Sequence, residues 1–195
     1  MSLTYFDISK ELFSSTVYPG DPAPSKKPFL SIEKGDVCNL TEITLGSHNG
    51  THLDAPKHFV RDGLSVAEIP LDKTMGPCKL VSASGEITAS QMQEWLLDGT
   101  KKLLIRGDIL LTPEASSVMA KASLDLIGVE GQTVGLGDTQ VTVHQILLGA
   151  GIIILEGLVL SMVPEDGAYF LSAAPIKMDG LDGSPIRPVL ISYSK

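Results

Sequence analysis

The sequence predicts a mixed α/β fold, formed by one domain that spans residues 1–195. Short apolar segments typical of strands outnumber helical patterns by roughly two to one, which favours a sheet with helices packed on it. Two helical patterns also carry clear start signals. The chain has 195 residues, 43% of them hydrophobic, and is therefore long enough for one full core and too short for two ordinary domains.

Strands are predicted where short apolar runs end at turn residues. They are expected at residues 4–8, 36–45, 79–82, 102–105, 124–129, 152–155, 169–173 and 189–192. In the second strand the alternation slips between Leu40 and Ile43, which indicates a bulge in a strand that delivers the chain to His48. Residues 18–22 read Tyr-Pro-Gly-Asp-Pro, and on composition alone they form a surface loop.

The clearest helix is predicted at residues 87–98, where Thr88 and Gln91 have the spacing of a capping box. Trp95 falls on the apolar face of this helix and is expected in the core. A second helix is expected to open at Thr112, because Pro113 suits the first helical position.

Composition excludes several classes of partner. The formal net charge is −8, and no run of Lys and Arg is longer than two, so a nucleic-acid surface is not expected. No apolar run reaches the roughly 18 residues of a membrane span. Cys38 and Cys78 are expected to be free thiols. No signal-peptide pattern is visible, so a cytoplasmic location is predicted.

Three of the four histidines fall within residues 48–58, together with an aspartate. His52 and Asp54 are two positions apart, so on a strand both side chains point to the same face and can reach one ion. Gly50 permits a turn between His48 and His52, and Pro56 would present His58 from a fixed bend. One histidine alone is more often a surface or core residue, but imidazoles clustered with a carboxylate predict a metal site.

His144 and Glu156 are two further candidate metal ligands, with weaker support from the sequence. Thr142 and Gln145 have capping-box spacing, which predicts a short helix with His144 in its first turn and an end at residues 149–151. Glu156 follows a fully apolar strand, where a carboxylate needs a partner or a metal. Taken singly, each residue also has a plain structural explanation, as a helix-start residue and a strand-end carboxylate.

The segment reads His-x-Gly-Thr-His-x-Asp-x-Pro-x-His, and it resembles the signature of the cyclase family of metal-dependent hydrolases, which includes bacterial kynurenine formamidase. Similarity extends to residues 7–9, 18–22, 62–63, 111–115, 144–156 and 182–187. The resemblance implies an α/β fold with a β-barrel-like mixed sheet and flanking helices, of the swivelling β/β/α type. It also implies that residues 18–22 lie near the active site, and that homodimers or larger assemblies form.

The resemblance further assigns roles. It implies that His48, His52 and Asp54 bind a first divalent ion, most often zinc with manganese as an alternative. His144 and Glu156 would complete a second site that shares Asp54, although Glu156 could instead accept a hydrogen bond from a ligand histidine. His58 would transfer protons as general acid and base, while the ion lowers the pKa of a water toward ~7.

Departures from the family pattern concern the substrate. Asn49 and Gly157 replace the usual Thr and Asn, residues 131–133 differ, and residues 106–111 are short where many members carry a longer loop. The predicted substrate is a small amide, such as an aryl formamide, with weak activity on N-formylkynurenine. The alternatives are a hydrolase or lyase acting on a cyclic imide, lactone or hydroxyl substrate, and a non-catalytic metal-binding protein, which retention of His58 disfavours.

Overall fold

The computed structural model of the chain describes residues 2–135 and 137–193. Its strands are β1 (Leu3–Asp7), β2 (Ser25–Leu30), β3 (Leu40–Thr44), β4 (His52–Asp54), β5 (Met75–Ser82), β6 (Gly85–Ile87), β7 (Lys102–Arg106), β8 (Ile109–Leu111), β9 (Leu126–Val129), β10 (Ile153–Glu156), β11 (Gly167–Ser172), β12 (Gly183–Pro185) and β13 (Val189–Tyr193). Its α-helices are α1 (Leu71–Thr74), α2 (Ala89–Leu96), α3 (Pro113–Lys121) and α4 (Gln140–Gly149).

Nine strands form one curled mixed sheet, in the order β1-β13-β11-β5-β7-β9-β10-β4-β12. The central strands β5, β7, β9 and β10 are parallel, and the flanking strands pair antiparallel. Two separate pairs, β2 with β3 and β6 with β8, complete the strands. The predicted fold class, a mixed sheet of barrel-like curvature with flanking helices, is confirmed.

Strands β7, β9 and β10 are buried on both faces, as expected for parallel strands covered on each side. Alternate residues of β7 separate into two cores: Leu103 and Ile105 pack on one face of the sheet, with Met92 of α2 and Met119 of α3. Leu104 packs on the other face. Helices α2, α3 and α4 contribute to the first core, and connecting segments contribute Val66, Leu158 and Leu160 to the second.

Both predicted helix starts before residue 120 are confirmed. Thr88 and Gln91 form a capping box at the start of α2, and the backbone N–H of Gln91 donates to the Thr88 hydroxyl. Thr112 caps α3 and accepts a hydrogen bond from the backbone N–H of Ala115, while Pro113 occupies the first turn. Trp95 packs against the first core, as predicted. The two cysteines are unpaired, with Cys38 exposed and Cys78 buried.

The predicted strand at residues 36–45 is corrected by the structure. Only Leu40–Thr44 is a strand, and it pairs with β2 in a hairpin outside the main sheet. The register shift lies in the partner strand, between Pro28 and Leu30, and not between Leu40 and Ile43. Val37, Leu40 and Ile43 of the predicted segment are exposed, and so are the neighbouring apolar residues Phe29 and Ile32. The sequence pattern therefore marked an exposed apolar surface, here called the hairpin surface.

Candidate metal centre

Strand β4 carries two predicted ligands and lies between β10 and β12. In the antiparallel register with β10, His52 stands opposite Glu156 and Leu53 opposite Leu155. Because directly opposed residues share a face of the sheet, His52 and Glu156 point the same way, and Asp54 joins them by its two-residue spacing. Leu53 and Leu155 point into the second core. The backbone register thus brings three predicted ligands to one face.

His48 reaches the site from a tight turn before β4. The side chain of Asn49 closes this turn, since its Oδ1 accepts from the backbone N–H of Gly46 and its Nδ2 donates to the carbonyl of Pro22. Asn49 is buried, so the departure from the family's usual Thr has a structural role. Gly50 has a φ of +66°, a conformation that glycine adopts readily, and the predicted turn at this position is confirmed.

His58 lies one turn beyond β4, at the end of a 3₁₀ turn over Pro56–His58. Its ring centroid lies 4.0 Å from that of His48 and 6.1 Å from that of His144. Phe59 stacks on the His144 ring at 4.6 Å with an interplanar angle of 22°, and it meets the His58 ring edge-on. The predicted rigid presentation of His58 agrees with this turn, and Phe59 fills the space between the two histidines.

His144 approaches from α4, although the predicted start of that helix was wrong. The helix begins at Gln140 and not at Thr142, so His144 lies beyond its first turn. Nδ1 of His144 lies 2.8 Å from the carbonyl oxygen of Gln140, one helical turn earlier. The hydrogen bond aims Nε2 toward Glu156, whose Oε1 is 3.4 Å away.

The other four predicted metal ligands lie around the buried carboxylate of Asp54. Its Oδ1 lies 2.8 Å from Nδ1 of His48 and 3.4 Å from Nε2 of His52. Its Oδ2 lies 3.8 Å from Nε2 of His144. Glu156 spans the same two sides, with Oε2 3.3 Å from Nε2 of His52 and Oε1 near His144. Each carboxylate therefore offers one oxygen to each side of the cluster.

The donor set fits one or two divalent cations. Among the described residues, Asp54 Oδ2 is buried without a hydrogen-bond partner, which is costly for a carboxylate oxygen unless a cation or a donor meets it. Imidazole and carboxylate together suit zinc and its neighbours. Candidate ligand atoms lie within 4.8 Å of one another in two groups: His48, Asp54 and His58, and His52, Asp54 and Glu156. His58 is thus close enough to count as a ligand by distance alone.

The pKa shifts of the three predicted ligand histidines and of His58 have opposite directions. Burial lowers the pKa of His52, but hydrogen bonds with Asp54 and Glu156 outweigh it and raise that pKa to about 10. Against the same effect of burial, carboxylate contacts also raise the pKa of His48 and His144. Burial lowers the pKa of His58, and here the carboxylates do not reverse it. His58 is therefore neutral near pH 7 and able to accept a proton.

The site opens into a cavity of about 230 Å³. Its wall also includes side chains from outside the signature: Tyr18, Asp21, Phe59, Gln132, Thr133 and Gln140. Tyr18 donates its hydroxyl hydrogen to Oε1 of Gln140, so the segment at residues 18–22 is part of the wall and more than a surface loop. Residues 106–111 are absent from the described lining. Three larger cavities, of about 330, 670 and 740 Å³, lie elsewhere and lack the histidine cluster.

Comparison with known proteins agrees with this geometry. The family model described as "Putative cyclase" matches residues 6–134. The chain belongs to the putative cyclase family. It is 33% identical to kynurenine formamidase of Bacillus cytotoxicus, with 95% of this chain and 96% of that protein covered, and equally similar to the Bacillus cereus enzyme.

Solved structures of similar fold cover nearly the whole chain. A potential metal-dependent hydrolase with cyclase activity superposes with a TM-score of 0.83 at 28% identity, with all of both chains covered. Isatin hydrolase A from Labrenzia aggregata shares the fold, with a TM-score of 0.82 at 23% identity, over 97% of this chain and 93% of that one. The predicted enzyme class, a metal-dependent hydrolase of the cyclase family, is confirmed. In the described residues no helix is long and apolar enough to cross a membrane.

Proposed function

We propose that this cyclase-family protein hydrolyses the C–N bond of a small aryl formamide or related amide, with His58 as general acid and base. One observation carries the proposal: His58, whose pKa is lowered by burial, stands beside a cluster of three histidines and two carboxylates that are all buried except His48. A ligand cluster alone would suit a purely binding protein. A neutral histidine whose ring lies 4.0 Å from that of His48 adds a proton acceptor at the place where a carbonyl would be attacked.

The reaction divides between the ion and the chain. A divalent ion in the cluster, most simply zinc, supplies an acidified water and polarises the substrate carbonyl. His58 takes the proton of the attacking water as the new C–O bond forms. When the C–N bond breaks, His58 returns that proton to the leaving nitrogen. The products are an amine and a carboxylic acid, which is formic acid for a formamide.

The arrangement of the carboxylate oxygens supports two ion positions. Asp54 and Glu156 each direct one oxygen toward His52 and the other toward His144. We propose that His48, His52 and Asp54 hold the first ion, and that Asp54, His144 and Glu156 hold the second. The alternative keeps one ion and uses Glu156 only to orient a ligand histidine.

The cavity supports a small substrate. A volume of about 230 Å³ lies below the usual range of ligand pockets, which begins near 300 Å³. Phe59 offers an aromatic face on one side, and Gln132, Thr133 and Gln140 offer uncharged polar groups. An unsubstituted aryl formamide matches this wall. The short stretch at residues 106–111 does not line the cavity, so cavity size is the better reason to expect weak activity on N-formylkynurenine.

The test is a substrate panel with zinc-loaded and manganese-loaded protein, read by release of formate or by ring opening. The panel contains formanilide, N-formylkynurenine, isatin as a cyclic amide, and an aryl lactone. Faster turnover of formanilide than of the other three compounds is the expected result. Faster turnover of isatin or the lactone would show that the substrate is cyclic and that the proposed linear amide is wrong. Full metal loading with no hydrolysis of any compound would indicate a non-catalytic metal-binding protein.

The oligomeric state also belongs to the proposal. The hairpin surface leaves five large apolar side chains exposed, and a two-stranded hairpin is marginally stable without further packing. Exposed apolar patches of this kind mark contact surfaces. We propose that the hairpin surface is covered in the homo-oligomer that the family resemblance implies. The predicted cytoplasmic location and the single domain over residues 1–195 stay predictions.

A further inference from the structure

The ligand histidines are held at the nitrogen that faces away from the cluster. Nδ1 of His52 lies 3.1 Å from the carbonyl oxygen of Gly50. Nδ1 of His144 lies 2.8 Å from the carbonyl oxygen of Gln140. A carbonyl can only accept, so each Nδ1 carries a hydrogen, and Nε2 is the nitrogen left to meet an ion in the cluster. Backbone groups thus fix these two rings.

His48 is arranged the opposite way round. Its Nδ1 faces the cluster, 2.8 Å from Oδ1 of Asp54. Its Nε2 lies 2.8 Å from Oδ2 of Asp182, a residue 134 positions further along the chain. The outward nitrogen of this ligand is therefore held by a carboxylate side chain, where the other two use a backbone carbonyl.

The same carboxylate oxygen also approaches His58. Nδ1 of His58 lies 3.4 Å from Oδ2 of Asp182. A hydrogen on that Nδ1 would leave Nε2 of His58 with the free lone pair that a general base needs. One oxygen of Asp182 thus stands beside a metal ligand and the proton-transfer residue together.

The position of Asp182 is built by its surroundings. Its carbonyl accepts from the backbone N–H of Ala55, 2.9 Å away, and its Oδ1 accepts from the hydroxyl of Ser47 at 3.2 Å. The next residue, Gly183, pairs with Asp54 across the sheet. A Cβ at Gly183 would lie 2.6 Å from Cε1 of His48, so only glycine lets the His48 ring lie this close to β12.

We propose that Asp182 is a positioning residue that sets the tautomers of both His48 and His58. Held by Asp182, His48 carries its hydrogen on Nε2 and keeps Nδ1 for the ion, and His58 carries its hydrogen on Nδ1 and keeps Nε2 for the substrate's proton. Carboxylates that hold a ligand histidine in this way commonly change metal affinity or activity 10–100-fold when removed. The inference rests on the proposed function, because it assigns an ion to His48 and proton transfer to His58.

The Asp182 side chain is 41% exposed, in contrast to 1% for Asp54. Exposure to water weakens the electrostatic part of its contacts. Its role is accordingly to orient the two rings, and removing it should leave the fold intact. This separates Asp182 from the buried carboxylates, whose loss would affect the whole cluster.

The test compares the wild type, Asp182→Ala and the control Asp179→Ala, which removes an exposed carboxylate from the same segment. Long-range ¹H–¹⁵N spectra resolve the tautomer of His58, whose pKa is lowered, in metal-free protein above the ordinary pKa of histidine. Competition with a chromophoric chelator gives the dissociation constant for zinc. We expect His58 to carry its hydrogen on Nδ1 in the wild type and in Asp179→Ala, and on Nε2 in Asp182→Ala. Zinc should bind 10–100-fold more weakly to Asp182→Ala alone.

Each failure has a distinct signature. A hydrogen on Nε2 of His58 in the wild type overturns the inference, and no variant is needed for that result. Unchanged zinc affinity in Asp182→Ala overturns it as well. If Asp182→Ala does not fold, the wild-type spectrum still decides. A wild type that binds no zinc overturns the proposed function, whereas the tautomer of His58 continues to test Asp182.

Discussion

Nε2 of His144 lies 3.4 Å from Oε1 of Glu156, and Oε2 of the same carboxylate lies 3.3 Å from Nε2 of His52. Glu156 therefore joins two histidines that come from different elements, a helix and a strand. A residue that only oriented one ligand histidine would need one such contact. The double contact is the basis of the first prediction.

Glu156→Gln should lower the zinc content of the saturated protein from two ions per chain toward one. The substitution preserves shape but weakens one ligand of the second position, where Asp54 and His144 remain. Elemental analysis after dialysis measures the ratio, and Glu165→Gln, an exposed change, is the control. A wild-type ratio of one under saturating zinc would exclude the two-ion arrangement.

His52→Ala should abolish most metal uptake. Its Nε2 lies within 3.4 Å of Asp54 and Glu156, so its loss removes the donor between the two carboxylates. Two buried carboxylates would then face each other with less compensation, and metal-free stability should fall as well. Elemental analysis together with thermal unfolding measures both effects. Full stoichiometry in this variant would show that the ligand assignment is wrong.

His58→Ala should keep the first ion and lose about 10²–10⁴-fold in kcat, the usual contribution of a general acid or base. The matched control is Lys57→Ala, which changes the adjacent exposed residue. Steady-state rates on formanilide and metal content are measured on the same samples. Loss of the ion with loss of activity would instead make His58 a ligand, which its distance from His48 and Asp54 permits.

The pH dependence of stability follows from His52. Burial lowers its pKa, but contacts with Asp54 and Glu156 outweigh burial and raise the pKa in the folded chain from the ordinary 6.5 to about 10. A raised folded-state pKa stabilises the fold fully below the unfolded value and loses that contribution as pH rises through the folded value. Metal-free protein should therefore lose stability between about pH 6.5 and pH 10.

Urea unfolding of chelator-treated protein across this window measures the effect. Zinc replaces the imidazole protons, so zinc-loaded protein should lose less stability over the same range. A metal-free stability that rises steadily from neutral to alkaline pH would contradict the raised pKa of His52.

Val37→Glu should shift the protein toward monomers. Val37 is 97% exposed on the hairpin surface, and a charge there opposes burial against another chain. Light scattering after gel filtration gives the molar mass, and Lys34→Ala, in the same hairpin, serves as control. A monomeric wild type would show that the hairpin surface is not covered by a second copy of the chain.

Local spacing was enough to predict much of the site. His48, His52, Asp54 and His58 stand close in sequence, and β4 confirms that His52 and Asp54 share a face. The structure also brings His144 and Glu156 to this cluster. The roles of these residues stay predictions, because distances alone do not show what they bind.

Long-range pairing explains what the sequence did not predict. Asp182 reaches His48 only because β12 pairs with β4, and no local pattern signals that register. The start of α4 was misplaced because a 3₁₀ turn over Gly137–Thr139 leads directly into the helix, so Thr142 lies inside the first turn and is not its cap. The strand predicted at residues 36–45 is shorter and lies in a hairpin outside the main sheet, because apolar alternation does not distinguish a strand of a large sheet from an exposed hairpin.

The position of β4 between β10 and β12 also bears on how this enzyme could acquire new substrates. A one-residue insertion in β4 would turn His52 and Asp54 to the opposite face and exchange them for Leu53. A change of register in β4 would therefore abolish the site and would not alter its specificity. Tyr18, Gln132 and Thr133 lie on connecting segments without such pairing, and they wall the same cavity. Divergence in specificity should accumulate in those segments while the catalytic frame stays fixed.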